Sequence, residues 1–361
     1  MKIGLFGGTF DPIHKGHIQI AISALKELNL DKIIFIPNNQ NPFKKNQPSA
    51  SAYHRFMMVK IAISNYKKMD VSDFEIKQNG PSHTIDTINY FSNKFKDDEL
   101  FFIIGSDNIE KINKWRGIDE ISRKTQIVAF ERKGSTKNKK NIKSFNIIFL
   151  KEKILDVSAT DYRNGNLKVV VPEVQEYIGQ HFLYVKNYLL NNLSVDRSKH
   201  CFLTAKYANE LAKKLNYNSK TAYYCGLLHD ITKEWSVEEH RQYLRKCGVN
   251  EKKLFDYELH QETAYFFLKN EYMIKNEPLL DAIRQHTTLS LFPKTLDKII
   301  YVADKVAPGR RWEGIQSLRK LIEENFDNGF KKLVFLTWEK YVYDKKHISK
   351  EQEDIYSKNS K

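Results

Sequence analysis

Residues 7–17 read GGTFDPIHKGH, and this stretch decides the fold of the first half of the chain. Before it stands KIGLF (2–6), an apolar run with the length of a buried strand. After it, Ile18, Ala21, Ile22, Leu25 and Leu28 recur at helical spacing. KIIFIP at 32–37 reads as a second strand, so the segment predicts a β-α-β unit with parallel strands and a right-handed crossover. The turn after the first strand then lies at the carboxyl edge of the sheet. There Gly7 and Gly8 let backbone N–H groups approach an anion, and the helix start adds its positive end. Phosphate is the expected guest. His14 and His17, three residues apart, share one helix face and can donate to the same phosphate group. Neither the G-x-G-x-x-G of a dinucleotide site nor the G-K-[ST] of a P-loop is present.

The 361 residues are enough for two domains. No apolar run reaches membrane-spanning length, and MKIGLF leads into a strand instead of a signal peptide. Cys201, Cys225 and Cys247 are odd in number, widely spaced and form no C-x-x-C pair, which argues against a disulfide framework and fits a reducing, cytoplasmic setting. The formal charge of +15 raises the rival reading of an RNA-associated protein. Lysine, however, greatly outnumbers arginine and is spread along the chain, so no specific nucleic acid and no membrane partner is expected. The sequence leaves the oligomeric state open.

With its H-x-G-H, GGTFDPIHKGH resembles the nucleotidylyltransferase superfamily, and in this form the nicotinate-mononucleotide adenylyltransferases, which make deamido-NAD from ATP and nicotinate mononucleotide. The resemblance runs through PNNQNPFKK, YHRFMM, SHTIDTI, FIIGSDNIEKINKW and VSATDYRNGNLKVVVPEVQEYIGQHFLY, over roughly the first 185 residues. It implies a Rossmann-like α/β domain over 1–185. His14 and His17 would bind the triphosphate and steady the α-phosphoryl transition state. Ser158 and Arg163 would hold the β and γ groups, and Gly7, Gly8, Thr9 and Phe10 would line the phosphate turn. Thr84 and Trp115 would form the nicotinate pocket, Asp107 would contact the nucleotide, and Lys44 and Arg55 could steer phosphate. Mg²⁺ is expected with ATP, held chiefly by substrate phosphates. Phe43 and His83 depart from the family's usual His and Tyr and bear on substrate contacts.

Beyond residue 186 the texture turns helical, in HCFLTAKYANELAKKLNY and TAYYCGLLHDITKEW. A buried His-Asp pair, as in GLLHDITK, normally needs a cation. The ordered set His200, His229-Asp230, His260, His286 and Asp304 resembles the HD phosphohydrolase superfamily. His200, His229, Asp230 and Asp304 match its four ligands, and His260 and His286 mark members with two metals. The blocks RSKHCF, GLLHDITKEW, LHQETAYFFL, IRQHTT and YVADKVAPGRRWEG resemble the HD hydrolases that cut diadenosine tetraphosphate into two ADP. The departure is LSLF after HTT, where a glycine is frequent. The resemblance implies an all-α HD domain over 186–345, with two metal ions bridged by Asp230, Lys233 stabilising extra negative charge and Arg310 clamping phosphate. Imidazole and carboxylate ligands suit Fe, Mn or Zn, and the resemblance favours iron. A nucleotide-sensing module, or a hydrolase of another nucleotide, stays open beside this reading. Residues 346–361 are polar and lysine-rich, and disorder or a frayed helix is expected there.

Overall fold

The computed structural model describes residues 1–39, 49–78, 83–131, 138–153, 155–344 and 348–361. Among them, the strands β1 (Lys2–Gly8), β2 (Lys32–Pro37), β3 (Met69–Val71), β4 (Glu99–Gly105), β5 (Gln126–Phe130) and β6 (Ile148–Phe149) form one sheet. Its order is β3-β2-β1-β4-β5-β6, and every pairing is parallel. β1, β2, β4 and β5 are close to continuous buried runs, as a sheet covered by helices on both faces requires. Ile3, Leu5, Ile34, Ile36, Phe102, Ile104 and Ile127 pack with Ile85, Ile88 and Phe91 of the helix Thr84–Lys94 and with Ile118 and Ile121 of the helix Ile118–Lys124.

Strand order reverses between β1 and β4, which run in register from Lys2↔Glu99 to Phe6↔Ile103. Segments leaving the carboxyl ends of these two strands therefore open onto one crevice. GGTFDPIHKGH leaves β1 into the helix Lys15–Glu27, and SDN leaves β4, so topology alone brings the histidine pair and Asp107 to the same edge.

The chain divides into two units, Met1–Ile178 and Gly179–Lys361, a little before the division read from the sequence. Residues 179–185 go with the second unit. A Cβ on Gly179 would collide with the carbonyl oxygens of Tyr272 and Met273, and the Tyr272 hydroxyl donates to the Leu183 carbonyl at 2.8 Å. This unit is helical throughout its described residues. Ser194, Asn218 and Asn276 cap three of its helices by accepting the backbone N–H groups of Arg197, Thr221 and Leu279. Apolar positions at helical spacing, among them Ala205, Leu211, Leu228, Leu279, Ile283, Ile299 and Val302, fill its core. Among the described residues no helix is long and apolar enough to cross a membrane.

Of the two expectations for the tail, disorder is corrected, and the helix found is packed instead of frayed. Residues Lys350–Asn359 form a helix capped by Ser349, and its Gln352, Ile355 and Tyr356 are buried. These positions stand at i, i+3 and i+4 and make one stripe, but only two of the three are apolar, so hydropathy alone misses it.

Gly226, on the helix Ser219–Leu228, lets that helix approach the helix Val195–Lys214. An added Cβ would lie 2.9 Å from the Ala205 Cα and 3.0 Å from its nitrogen. Backbone cannot swing aside as a side chain does. Gly226→Ala should destabilise the protein by roughly 1–3 kcal/mol, read as a lower midpoint in denaturant unfolding.

Candidate active sites

In the first unit, His14 and His17 flank the start of the helix Lys15–Glu27 with ring centroids 3.6 Å apart. The His17 Nδ1 accepts the His14 backbone N–H at 3.2 Å, which leaves the His17 proton on Nε2, available to an anion. Both rings are largely buried. The two glycines do different things. A Cβ on Gly7 would make only ordinary contact, with Phe102, whereas one on Gly8 would lie 2.7 Å from the Phe10 ring. The Phe10 side chain is buried in the core, edge-on to His17 at 4.9 Å, so its ring backs the histidine and does not face a ligand. Gly16 gives a second close approach: a Cβ there would lie 3.1 Å from Val157 Cγ2. The VSATDYR segment thus lies against the helix start. Ser158 caps the short helix Ala159–Arg163 through Asp161. Arg163 donates to the Asp11 carbonyl and to Thr160 Oγ1 at 3.0 Å.

Arg55 is not free to steer phosphate. Its side chain is fully buried, and it donates to the carbonyls of Thr9 and Asn38 at 2.7 Å, Asn39 at 3.0 Å and Ala50 at 3.3 Å. It fastens the glycine turn to the segments following β2 and preceding the helix Ala52–Ala62. Asp107 stands exposed just after β4. Thr84 opens its helix, and Trp115 packs on Phe102 at 6.3 Å. The two belong to neighbouring segments, because Ile85 abuts Gly117. Lys44 lies outside the described residues.

The helical unit brings together all six residues of the expected metal set. His200 comes from the helix Val195–Lys214, His229 ends the helix Ser219–Leu228, and His260 lies on Asp256–Phe266. His286 follows Glu277–Arg284, and Asp304 comes from Thr295–Val306. The Asp230 carboxylate divides the cluster. Its Oδ2 faces His229 Nε2 at 3.4 Å and His200 Nε2 at 3.7 Å, while Oδ1 faces His286 Nε2 at 3.6 Å and His260 Nε2 at 3.7 Å. Asp304 Oδ1 completes the first group, 3.1 Å from His200 Nε2 and 3.5 Å from His229 Nε2. In the second, His260 and His286 Nε2 are 3.1 Å apart.

The donors fit transition metals. Ligand atoms around an ion bound at about 2.1 Å lie about 3.0–3.4 Å apart, close to the spacings here. The Nδ1 atoms of His229 and His286 are turned to the carbonyls of Gly226 at 2.8 Å and Ile283 at 2.7 Å, which directs the Nε2 lone pairs inward. Burial lowers the pKa of His200, His260 and His286 and favours their neutral, ligating form. Burial also opposes a charged His229, but the Asp230 and Asp304 carboxylates outweigh it and carry its pKa up to about 9. Both carboxyl groups are held well below the usual range against the same burial, Asp230 by His229 and His286, Asp304 by Lys305 and His200.

Lys233 reaches this centre by a tight turn, Lys233 N–H to Asp230 carbonyl, and places Nζ 3.0 Å from His260 Nε2. Arg310 donates to Asp304 Oδ1 at 2.9 Å. Sequence reasoning missed Arg197, whose Nη1 donates to Asp230 Oδ2 at 2.7 Å, and Lys305, which donates to the His286 carbonyl at 3.2 Å. It also missed Thr287, whose Oγ1 is 3.1 Å from His260 Nε2. The available signals were local: Arg197 stands one helical turn before His200, and Lys305 follows Asp304.

Two family models match the chain: cytidylyltransferase-like over residues 5–165 and HD domain over 197–309. Together they define a nucleotidyltransferase-type domain followed by a metal-site domain of the HD type. A Mycoplasma genitalium protein named "Probable nicotinate-nucleotide adenylyltransferase/Ap4A hydrolase" is 33% identical over 340 residues, covering 91% of this chain and 95% of that protein. Its Mycoplasma pneumoniae namesake is 32% identical, with 85% and 88% covered. A Clostridium novyi "Probable nicotinate-nucleotide adenylyltransferase" is 42% identical over 185 residues, 48% of this chain and 92% of that one. The chain belongs to the two-domain family of nicotinate-nucleotide adenylyltransferase/Ap4A hydrolase proteins.

Because Asp230 faces both imidazole groups, Asp230→Ala should remove more bound metal per chain than His286→Ala. Metal content per chain after dialysis, measured by plasma emission, checks this.

Proposed function

We propose that the first unit transfers the adenylyl group of ATP to nicotinate mononucleotide, and that the second hydrolyses diadenosine tetraphosphate symmetrically to two ADP. The first half of this reading is carried by the placement of His14 and His17 at the switch point of the sheet, with Arg163 tied to the same turn. The nicotinate-specific names of relatives covering this half support the acceptor.

A phosphate oxygen of the mononucleotide bonds to the α-phosphorus while the α–β bridging bond breaks, and pyrophosphate leaves with the electron pair. No residue need become covalently attached, so positioning and charge neutralisation supply the rate. Gly7 offers open backbone to the phosphates, and the His17 Nε2–H and His14 donate to the oxygens where charge builds. Arg163 and Ser158 hold the leaving β and γ groups, with Mg²⁺ arriving on ATP. Asp107, Thr84 and Trp115 receive the mononucleotide.

In the second unit, His200, His229 and Asp304 would hold one ion, His260 and His286 the other, and Asp230 would serve both. Bound metals supply an activated water and a polarised phosphoryl oxygen. Water adds to an inner phosphorus of the tetraphosphate, and the central P–O–P bond breaks. Lys233 Nζ, beside His260, offsets the added charge. Arg197 and Arg310 retain partial exposure while resting on the Asp230 and Asp304 carboxylates. They can turn to an incoming polyphosphate once metal charge takes their place.

The test uses the intact chain. His17→Ala should lower kcat for deamido-NAD formation by about 10²–10³-fold with the metal content unchanged, and nicotinamide mononucleotide should be the poorer acceptor. With manganese or iron under reducing conditions, diadenosine tetraphosphate should give ADP alone on ion exchange, lost in Asp230→Ala. ATP plus AMP would overturn symmetric cleavage. No turnover by metal-loaded protein would favour nucleotide sensing.

A further inference from the structure

We infer that the C-terminal helix Lys350–Asn359 is a latch that positions the His260/His286 half of the metal centre, with Gln352 as its positioning residue. The inference rests on the two-metal reading above.

His286 lies in a turn, not in a helix, so its place depends on what holds the residues after it. Thr287 and Thr288 are fastened from the ligand side. The Thr287 N–H donates to Gln261 Oε1 at 3.0 Å, Gln261 Nε2 donates to Thr288 Oγ1 at 2.9 Å, and Thr287 Oγ1 touches His260 Nε2. From the other side the C-terminal helix reaches the same turn three times. Gln352 Nε2 donates to the Thr288 carbonyl at 2.6 Å, Asn359 Nδ2 donates to the Ser290 carbonyl at 3.1 Å, and Lys358 Nζ sits 3.4 Å above the Phe292 ring.

Gln352, Ile355, Tyr356 and Asn359 stand at i, i+3, i+4 and i+7, so the two amides extend the stripe that Ile355 and Tyr356 bury. A helix that merely covered apolar surface would not aim its amides at alternate carbonyls of one turn. Between those carbonyls Leu289 is buried at φ +61, a left-handed conformation that favours glycine. Leu289 opens the LSLF stretch in which the sequence departs from the expected glycine, and its positive φ is strain that the latch holds in check.

Gln352→Met keeps the side-chain volume and removes the donor. Manganese titration of the intact protein, with His260→Ala marking loss of this half, should show one ion bound as in the unaltered protein. The other should bind about tenfold more weakly, with the melting midpoint nearly unchanged. Asn359→Ala should move the same ion in the same direction, by about threefold. Leu289→Gly placed in the Gln352→Met background should recover part of the loss, because the glycine accepts the positive φ without the latch. Equal binding of both ions in Gln352→Met and the unaltered protein would overturn the inference, and so would equal weakening of both, which is the mark of a merely structural role. An unaltered protein that binds fewer than two ions would overturn the two-metal reading first, and the inference with it.

Discussion

The Asp230 carboxylate is buried inside the helical unit, and much of that unit is arranged to answer its charge. Such a group left alone would cost several kcal/mol. Here it is met by His229 and His286 on different elements and by Arg197 from a third. Each partner must be held at a distance that only close helix packing gives. Gly226 shows the linkage. It lets the His200 and His229 helices come together, and its own carbonyl orients the His229 ring. Packing the core and assembling the histidine–aspartate cluster are therefore one event.

The first unit answers the opposite demand, since an anion is its expected guest. Its donors come from loops at a sheet edge, which are less fixed than helices. Buried polar anchoring compensates. Arg55 gathers carbonyls from three separate segments, and such contacts left unmade would cost about 1–3 kcal/mol each. Phe10, folded back over Gly8, gives His17 a solid wall. The charged groups that meet a ligand are thus few, and the residues that fix them are many.

That division explains what was legible in the sequence. Strands and helices could be read because each element's period reflects burial of its own face, as in KIGLF or Ile18 to Leu28. The histidine pair and the His-Asp set could be read because their chemistry permits few substitutes. Arg55 and Gln352 could not be read as anchors. An arginine that donates to backbone carbonyls leaves no pattern at the positions supplying them, and Gln352 acts on a turn more than sixty residues earlier in the chain. The polar tail was misjudged for the same reason: hydropathy counts apolar side chains, while the Lys350–Asn359 helix is held partly by amides.

Leu289 shows how these levels interact. A glycine in that turn would adopt the left-handed backbone at little steric cost and would need few outside contacts. A leucine there gains apolar burial but makes the turn depend on neighbours that over-determine it. The neighbours present are Gln261 on one side and the C-terminal helix on the other, and the first stands beside a metal-ligand candidate. A local departure from the family pattern is thereby coupled to the end of the chain, through contacts made only once both segments have folded.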